Sequence, residues 1–203
     1  MKYGEFPLLP RTNELSDILS PMRIITFDIE TTGDFGRGAW KPEDLELTIC
    51  CTHDSETDSY DSFLKEDLPR LWKLLENTDV LVGFNSDHFD IPILNKYYPG
   101  DLTKIRSIDI LKEVSAVLGR RIKLDTIAEG TLGKKKSADG LQAMRWWKEG
   151  NIKKLREYCL KDVEITKKLY DHYRAQKYFL IPNSATGETD KVQFSGLAGI
   201  ATR

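Results

Sequence analysis

Four acidic residues have the type and spacing to hold divalent cations: Asp28, Glu30, Asp90 and Asp162. Carboxylates are costly to crowd together unless a cation neutralises them. Hard oxygen ligands without His or Cys suit Mg²⁺ or Mn²⁺ rather than zinc. Two such ions, about 3.5–4 Å apart, can activate a water molecule and stabilise the leaving oxygen of an in-line displacement. The residues therefore predict metal-assisted hydrolysis of a phosphodiester, for which no nucleophilic Ser, Cys or His is needed.

The segments that carry the first three carboxylates are predicted to meet at one sheet. Met22–Ile29 is rich in β-branched and aromatic residues, which predicts a central strand. Asp28 and Glu30 are two positions apart, so in a strand their side chains point to the same face. Asp90 comes shortly after Val80–Phe84, a short apolar run that predicts a buried parallel strand, and it can open the next helix.

The fourth carboxylate belongs to a long helix, predicted from Ile152 to about Lys177. Tyr158 and Asp162 are four positions apart and share one face of that helix. The other predicted strands are Leu45–His53, Thr57–Phe63 and Ile105–Ile108, and the other predicted helices are Leu68–Asn77, Ile91–Tyr98, Ile110–Leu118, Asp125–Leu132 and Ala138–Gly150. This order predicts an α/β domain in which an antiparallel meander and parallel strands form a mixed five-stranded sheet flanked by helices.

Length and composition indicate an ordinary globular protein. The chain has 203 residues, of which 40% are hydrophobic and 31% charged. Its net charge of −2 neither favours nor excludes binding to nucleic acid. We predict an irregular arm over 1–21, one domain over 22–180 and a polar tail over 181–203. Three cysteines and the absence of a signal peptide or a long apolar run predict a protein of the reducing cytoplasm with no membrane partner.

The three motifs together resemble those of the DEDDy 3′–5′ exonucleases, a family named for four acidic residues (Asp-Glu-Asp-Asp) that has a ribonuclease H-like fold. Asp28-Ile29-Glu30 is similar to the first motif, and Asn85 to Asp90 is similar to the second. Tyr158 stands where this subclass keeps Tyr, whereas a sister subclass keeps His at the position of Glu157. Residues 23–173 are most similar to the proofreading domains of family-B DNA polymerases. The chain has no room for a polymerase, which predicts a stand-alone relative.

The resemblance also implies a role for each residue of the cluster. Asp28 would bridge both Mg²⁺ or Mn²⁺ ions, and Glu30 and Asp162 would bind the ion that activates water. Asp90 would hold the second ion through water, while Tyr158 would orient the attacking water. The residues expected to contact the terminal nucleotide are Thr31, Asn85 and Phe89.

Several residues have ordinary structural alternatives. Asp87 competes with Asp90 for the second motif, and a helix N-cap is the alternative for either; the pairing of Phe89 with the next residue favours Asp90. We expect Asp109 and Asp125 to be helix caps. The predicted phosphate contacts are Arg120, Arg121, Lys134 and Lys135, for which a solvated surface is equally open. Trp146 and Trp147 offer either a stacking surface or core packing.

We therefore predict a two-metal 3′–5′ exonuclease that acts on single-stranded nucleic acid with a free 3′ end, with DNA favoured, and releases nucleoside monophosphates. Direction and exonucleolytic mode come from the resemblance, because spacing alone supports only metal-assisted hydrolysis. One alternative is an RNA-processing exoribonuclease of the ribonuclease D kind. Another is a noncatalytic nucleic-acid-binding module on a nuclease fold. A helicase or polymerase partner stays open.

Overall fold

A mixed five-stranded sheet organises the part of the chain that the computed structural model describes, which comprises residues 22–33, 41–134, 140–183 and 186–193. Its strands are β1 (Ile24–Thr32), β2 (Glu46–Asp54), β3 (Ser59–Phe63), β4 (Val80–Gly83) and β5 (Arg106–Asp109). The order across the sheet is β3-β2-β1-β4-β5. The β1–β2 and β2–β3 pairs are antiparallel, and the β1–β4 and β4–β5 pairs are parallel. The predicted meander followed by parallel strands is confirmed.

The helices cover both faces of this sheet. They are α1 (Leu68–Glu76), α2 (Asp90–Asn95), α3 (Ile110–Leu118), α4 (Leu124–Leu132), α5 (Gly140–Lys148) and α6 (Ile152–Gln176). Single 3-10 turns lie at Pro42–Asp44, Lys65–Asp67 and Leu102–Lys104. Among the described residues, no helix is long and apolar enough to cross a membrane.

Strand β1 is buried along most of its length because each face packs against a different layer. Ile25, Phe27 and Ile29 alternate on the face that packs against α1 and α2, within one apolar cluster. The intervening residues point to the opposite face, as the two-residue period of a strand requires. That second face lies under α6, so Asp28 and Glu30 point towards this helix rather than into the apolar cluster.

Helix α6 spans 25 residues and crosses the second face of the sheet. The side chain of Asn151 caps its first turn by accepting a hydrogen bond from the Lys154 backbone N–H. Near this end, Leu155 packs in a cluster with Ile49 of β2. Near the other end, Tyr173 packs in a larger apolar cluster. The helix is thus anchored at both ends, with its polar positions over the middle of β1.

The chain after α6 differs from the sequence prediction. Residues 181–203 are predicted as a polar tail, but β6 (Phe179–Pro182) and β7 (Thr189–Val192) form an antiparallel hairpin. The hairpin packs on α4: the Thr131 hydroxyl donates to the Leu180 carbonyl and accepts from the Leu180 N–H, both at 3.0 Å. The mostly polar sequence of β7 explains the difference, because Val192 is the one buried residue of that strand. Residues 1–21, with the predicted arm, lie outside the described part of the chain.

We expect Gly130→Ala to destabilise the protein by about 1–3 kcal/mol, the usual cost of overpacking. A Cβ at Gly130 would lie 2.2 Å from the carbonyl oxygen of Leu180, so the hairpin would have to move away from α4. In an exposed helix the same change is normally stabilising, by roughly 0.5–1 kcal/mol. Urea unfolding measures the difference, with Glu129→Ala at the exposed neighbouring position as the control. A Gly130→Ala protein as stable as the wild type would contradict the close packing of the hairpin.

Candidate active site

Three carboxylates from two elements converge above the middle of β1. Oxygen atoms of Asp28, Glu30 and Asp162 all lie within 4.8 Å of one another. The two strand residues share a face of β1, and Asp162 descends from α6. The ladder between β1 and β2 is irregular immediately after Glu30, because Thr31 pairs with Leu47 where an unbroken register would require Thr48. Such irregularities bend a strand and re-aim side chains, and they recur beside active sites.

Tyr158 lies one helical turn before Asp162, and the interaction of its hydroxyl with the Asp162 carboxylate acts to lower the pKa of that carboxylate. The Tyr158 hydroxyl has its pKa raised, first by burial and then by the charges of Asp162 and Glu30. The phenol therefore stays protonated at neutral pH and can donate a hydrogen bond. Trp146 packs edge-on against its ring, with the centroids 6.0 Å apart. Trp146 and Trp147 are both half-buried in the cluster beneath α5 and α6, so core packing is confirmed for at least part of each ring.

Asp90 lies next to this group but outside the set of three. It is 4% exposed at the start of α2, and its carboxylate accepts a hydrogen bond of 3.1 Å from the Ile29 backbone N–H. This bond ties α2 to the point of β1 between Asp28 and Glu30. Burial raises the pKa of Asp90 to about 7, and the hydrogen bond from Ile29 opposes the rise. Its charge in turn helps to raise the pKa of both strand carboxylates.

The cluster carries more negative charge than the surrounding protein neutralises. Burial is the largest cause of the raised pKa of Asp28 and of Glu30, and repulsion between the carboxylates adds to it. Burial also raises the pKa of Asp162 to about 7, while the Tyr158 hydrogen bond acts in the opposite direction. Groups perturbed by both desolvation and like charge are the expected marks of a functional site. Oxygen donors that repel one another in this way suit hard divalent cations.

The choice between Asp87 and Asp90 follows from their neighbours. Asp87 forms an ion pair of 2.7 Å with Lys112, so its charge is engaged away from β1. Asp90 instead accepts its hydrogen bond from β1, through the Ile29 N–H. Asp109 is an N-cap, as predicted, since it accepts from the Lys112 N–H, but it also accepts from the Asn85 N–H at 2.7 Å. It therefore supports the loop of the second motif, a role that a capping pattern alone does not reveal.

Asp125 is not the helix cap that the sequence suggested. The N-cap of α4 is Lys123, and Asp125 lies within the first turn. Its negative charge helps to raise the pKa of Asp162, so it borders the acidic cluster. The two-residue difference reflects the weakness of single Asp residues as markers of helix ends.

The three residues predicted to contact the terminal nucleotide are Asn85, Thr31 and Phe89, and their surroundings differ. Asn85, whose φ of +66° is unusual for a residue with a side chain, accepts a hydrogen bond of 2.7 Å from the Arg121 guanidinium. Thr31 is buried directly after Glu30, and Phe89 is half-buried directly before Asp90.

The basic residues that are predicted to contact phosphate also differ in their surroundings. Arg121 contacts the second motif through Asn85, whereas the side chain of Arg120 is exposed. Lys134 instead forms an ion pair of 3.1 Å with Glu164, and its contact with a phosphate stays a prediction. Lys135 lies outside the described residues.

Comparisons with known proteins agree with this geometry. The chain matches the RNase_H superfamily over residues 25–174. Its structure is similar to a family B DNA polymerase from the hyperthermophilic archaeon Pyrobaculum calidifontis, with a TM-score of 0.59 and 19% sequence identity over 76% of this chain. The match spans 25% of that polymerase chain. A search of curated proteins gave no significant match. The three motifs, the mixed sheet and the match to most of its length establish that this chain belongs to the RNase_H superfamily.

Proposed function

We propose that this protein is a metal-dependent 3′–5′ exonuclease that degrades single-stranded nucleic acid, DNA in preference to RNA, and releases nucleoside monophosphates. The observation that carries the proposal is the convergence of Asp28, Glu30 and Asp162 within 4.8 Å, beside a protonated Tyr158. Membership of a nuclease superfamily supports phosphodiester hydrolysis as the reaction class. The direction and the exonucleolytic mode rest on the resemblance of the three motifs to the DEDDy exonucleases.

The donor set fits Mg²⁺ or Mn²⁺. Its atoms are carboxylate oxygens, its members repel one another, and burial withholds the water that would otherwise solvate them. Asp28, Glu30 and Asp162 would hold one ion, and Asp90 would help to hold a second one. When bound, the cations activate water and stabilise the charge that develops on the leaving oxygen.

The protein's own residues would position the attacking water, and the Tyr158 hydroxyl would keep its proton. Tyr158 is a hydrogen-bond donor rather than a base, because its pKa is raised above its ordinary value. Held by Asp162 on one side and Trp146 on the other, its hydroxyl would orient the attacking water. A positioned donor of this kind contributes through alignment rather than by forming a covalent bond to the substrate.

The 3′ end of the nucleic-acid substrate would lie across the loop that carries the second motif, Asn85 to Asp90. Asn85 and Arg121 form one polar unit there, and Phe89 adds an aromatic ring beside Asp90. A guanidinium next to an amide can contact a phosphate and a sugar or base edge together. Thr31 follows Glu30 on β1, where its backbone would contact the terminal nucleotide.

Two alternatives remain distinct from this proposal. An RNA-processing exoribonuclease of the ribonuclease D kind would use the same residues. It would differ only in accepting a substrate that carries a 2′-OH. A noncatalytic nucleic-acid-binding module would be expected to lack at least one of the four acidic residues, and all four are present. The arrangement of Asp28, Glu30 and Asp162 therefore favours an enzyme over a binding module.

We expect Asp28→Ala to lower exonuclease activity by about a thousandfold or more, since losing a preorganised electrostatic centre has effects of that order. The assay follows end-labelled single strands of DNA and RNA with Mn²⁺ or Mg²⁺, with and without a blocked 3′ end. Glu157→Gln is the matched control, because this exposed carboxylate neighbours Tyr158 and should leave the rate unchanged.

Equal inertness of the wild type and Asp28→Ala, with both still binding the strand, would sink the enzyme proposal. Digestion that continues after the 3′ end is blocked would contradict the direction. Faster loss of RNA than of matched DNA would move the protein to the ribonuclease D kind of activity.

Tyr158→Phe should lower kcat by roughly ten- to a hundredfold, in line with the loss of one positioned hydrogen bond in a transition state. KM should change little, because the ring that packs against Trp146 is kept. Steady-state kinetics on a single-stranded substrate separates the two parameters. A variant with unchanged kcat and raised KM would show that the hydroxyl binds substrate instead of orienting water.

The metal-free protein should lose stability as pH rises. The folded-state pKa of Asp90 and of Asp162 is about 7, against an ordinary value of 3.8, so the folded state binds protons more tightly than the unfolded state. The stabilisation from protonating these groups is fully present below the ordinary pKa and is lost as pH rises through about 7. Saturating Mn²⁺ should raise the melting midpoint by on the order of 5 °C at alkaline pH and by much less at acidic pH.

Thermal melts across this pH range, with and without Mn²⁺, measure both effects. Asp162→Asn should flatten the pH dependence and reduce the stabilisation by Mn²⁺. Stabilisation by Mn²⁺ that is equal in acid and alkali, and unaffected by Asp162→Asn, would disprove the link between these carboxylates and the metal.

A further inference from the structure

Helix α2 and the residues that follow it contact the β1–β2 ladder on both sides of Glu30. At the start of the helix, Asp90 accepts the hydrogen bond from the Ile29 N–H. Just beyond its end, the Tyr97 hydroxyl accepts a hydrogen bond of 3.2 Å from the Leu47 N–H. Leu47 is the β2 partner of the residue that follows Glu30. One short helix therefore reaches the backbone on both sides of a cluster carboxylate, directly on one side and through β2 on the other.

The contact at Leu47 lies where the ladder between β1 and β2 is irregular. The partner of Thr31 is Leu47 rather than Thr48, so β2 carries one extra residue at this point. The ladder that joins β2 to β3 begins further along, at Cys50. Leu47 is fully buried, and a buried backbone N–H needs a partner, which the Tyr97 hydroxyl supplies.

The direction of the Tyr97 hydroxyl is fixed by a charged network. Its single hydrogen is donated to Glu46 at 2.6 Å, which leaves its lone pairs to accept from Leu47. Lys65 and Lys96 contact the same carboxylate at 2.8 and 3.2 Å. Hydrogen bonds from Lys65, Tyr97 and Lys96 lower the pKa of Glu46 to about 2, so this carboxylate stays ionised at neutral pH. The hydroxyl is therefore held in the orientation that accepts from the Leu47 N–H.

Lys96 adds a second attachment between the same two elements. Its ammonium group donates to the Leu45 carbonyl at 2.6 Å, one residue before β2 begins. The ammonium groups of Lys65 and Lys96 also lie 5.1 and 5.8 Å from the centre of the Tyr97 ring, within the range of a cation–π interaction. The end of α2 is thus fixed to the start of β2 by several contacts that support one another.

We propose that Tyr97 is a positioning residue of the metal site, which sets the direction of Glu30 through the irregular point of the β1–β2 ladder. The proposal rests on the proposed function, because it concerns how the ligands of the cation are held. With the hydroxyl in place, the Leu47 N–H is satisfied in the irregular register, and Thr31 is held opposite it. Glu30 is adjacent to Thr31, so its carboxylate keeps the direction that brings it to the other two ligands.

The test compares Tyr97→Phe with the wild type in two measurements on the full-length protein. The substitution keeps the ring and removes only the hydroxyl. Calorimetric titration with Mn²⁺, without substrate, gives the affinity of the metal site, and amide hydrogen exchange of the metal-free protein gives the protection of the Leu47 N–H. Tyr98→Phe is the matched control, because it removes a neighbouring hydroxyl that donates at 3.1 Å to Glu76, an exposed carboxylate on α1.

We expect Tyr97→Phe to weaken Mn²⁺ binding by about tenfold, the low end of the effects of removing a group that supports a metal ligand. The Leu47 amide should exchange about tenfold faster, as the loss of one hydrogen bond allows. Tyr98→Phe should leave both quantities unchanged. A lower melting temperature or faster exchange with an unchanged Mn²⁺ affinity would overturn the proposal and make Tyr97 a purely structural residue.

A failure of the proposed function would look different. A wild type that binds no Mn²⁺, or an Asp28→Ala variant that binds it as tightly as the wild type, would overturn the metal site and this proposal together. A wild type whose Mn²⁺ binding depends on Asp28 but which degrades no nucleic acid would overturn the exonuclease alone. In that case, a tenfold loss of Mn²⁺ affinity in Tyr97→Phe would still support the positioning role.

Discussion

Repulsion among the carboxylates at the cleft is the constraint on which the rest of this structure depends. Asp28, Glu30 and Asp162 are held within 4.8 Å, where two unit charges oppose each other by on the order of 4 kcal/mol at an effective dielectric constant near 20. Nothing in the cluster itself favours this approach. The free energy must come from packing elsewhere, which is why β1 is buried on both faces and α6 is anchored at both ends. The apolar clusters keep the carboxylates in place before any cation arrives.

The backbone around the cluster provides the local means of holding it. The Ile29 N–H donates to Asp90, and the Cys159 thiol donates to the Asp28 carbonyl at 3.5 Å. Cys159 and Cys51 are both fully buried where α6 crosses β2, and their small side chains let the helix come close to the sheet. The acidic groups are therefore fixed through their neighbours along the chain. Such support suits a site whose own members repel one another.

Sequence patterns are enough to predict most of this framework. They fail for features that depend on contacts between residues far apart in the chain. The central strand follows from its β-branched and aromatic residues, and the periods of a strand and a helix place Asp28 with Glu30 and Tyr158 with Asp162. The hairpin after α6 was missed because its second strand is mostly polar and its packing depends on close approach to α4. The contacts of long basic side chains are the hardest to predict from sequence. Two similar-looking basic runs supply one residue that contacts the second motif and another, Lys134, that is ion-paired, and no local pattern distinguishes them.

Helix α6 carries charged groups near both of its ends, and burial decides how much each of them says about function. Crowded, buried carboxylates are costly wherever they occur, so the cluster at Asp162 alone indicates a cation. An exposed guanidinium is well solvated, and near a helix C-terminus it is also favoured by the helix dipole, so Arg174 alone would indicate nothing. Burial therefore separates the two ends of α6, because the protein leaves the buried carboxylate of Asp162 unsatisfied while water satisfies the exposed guanidinium of Arg174.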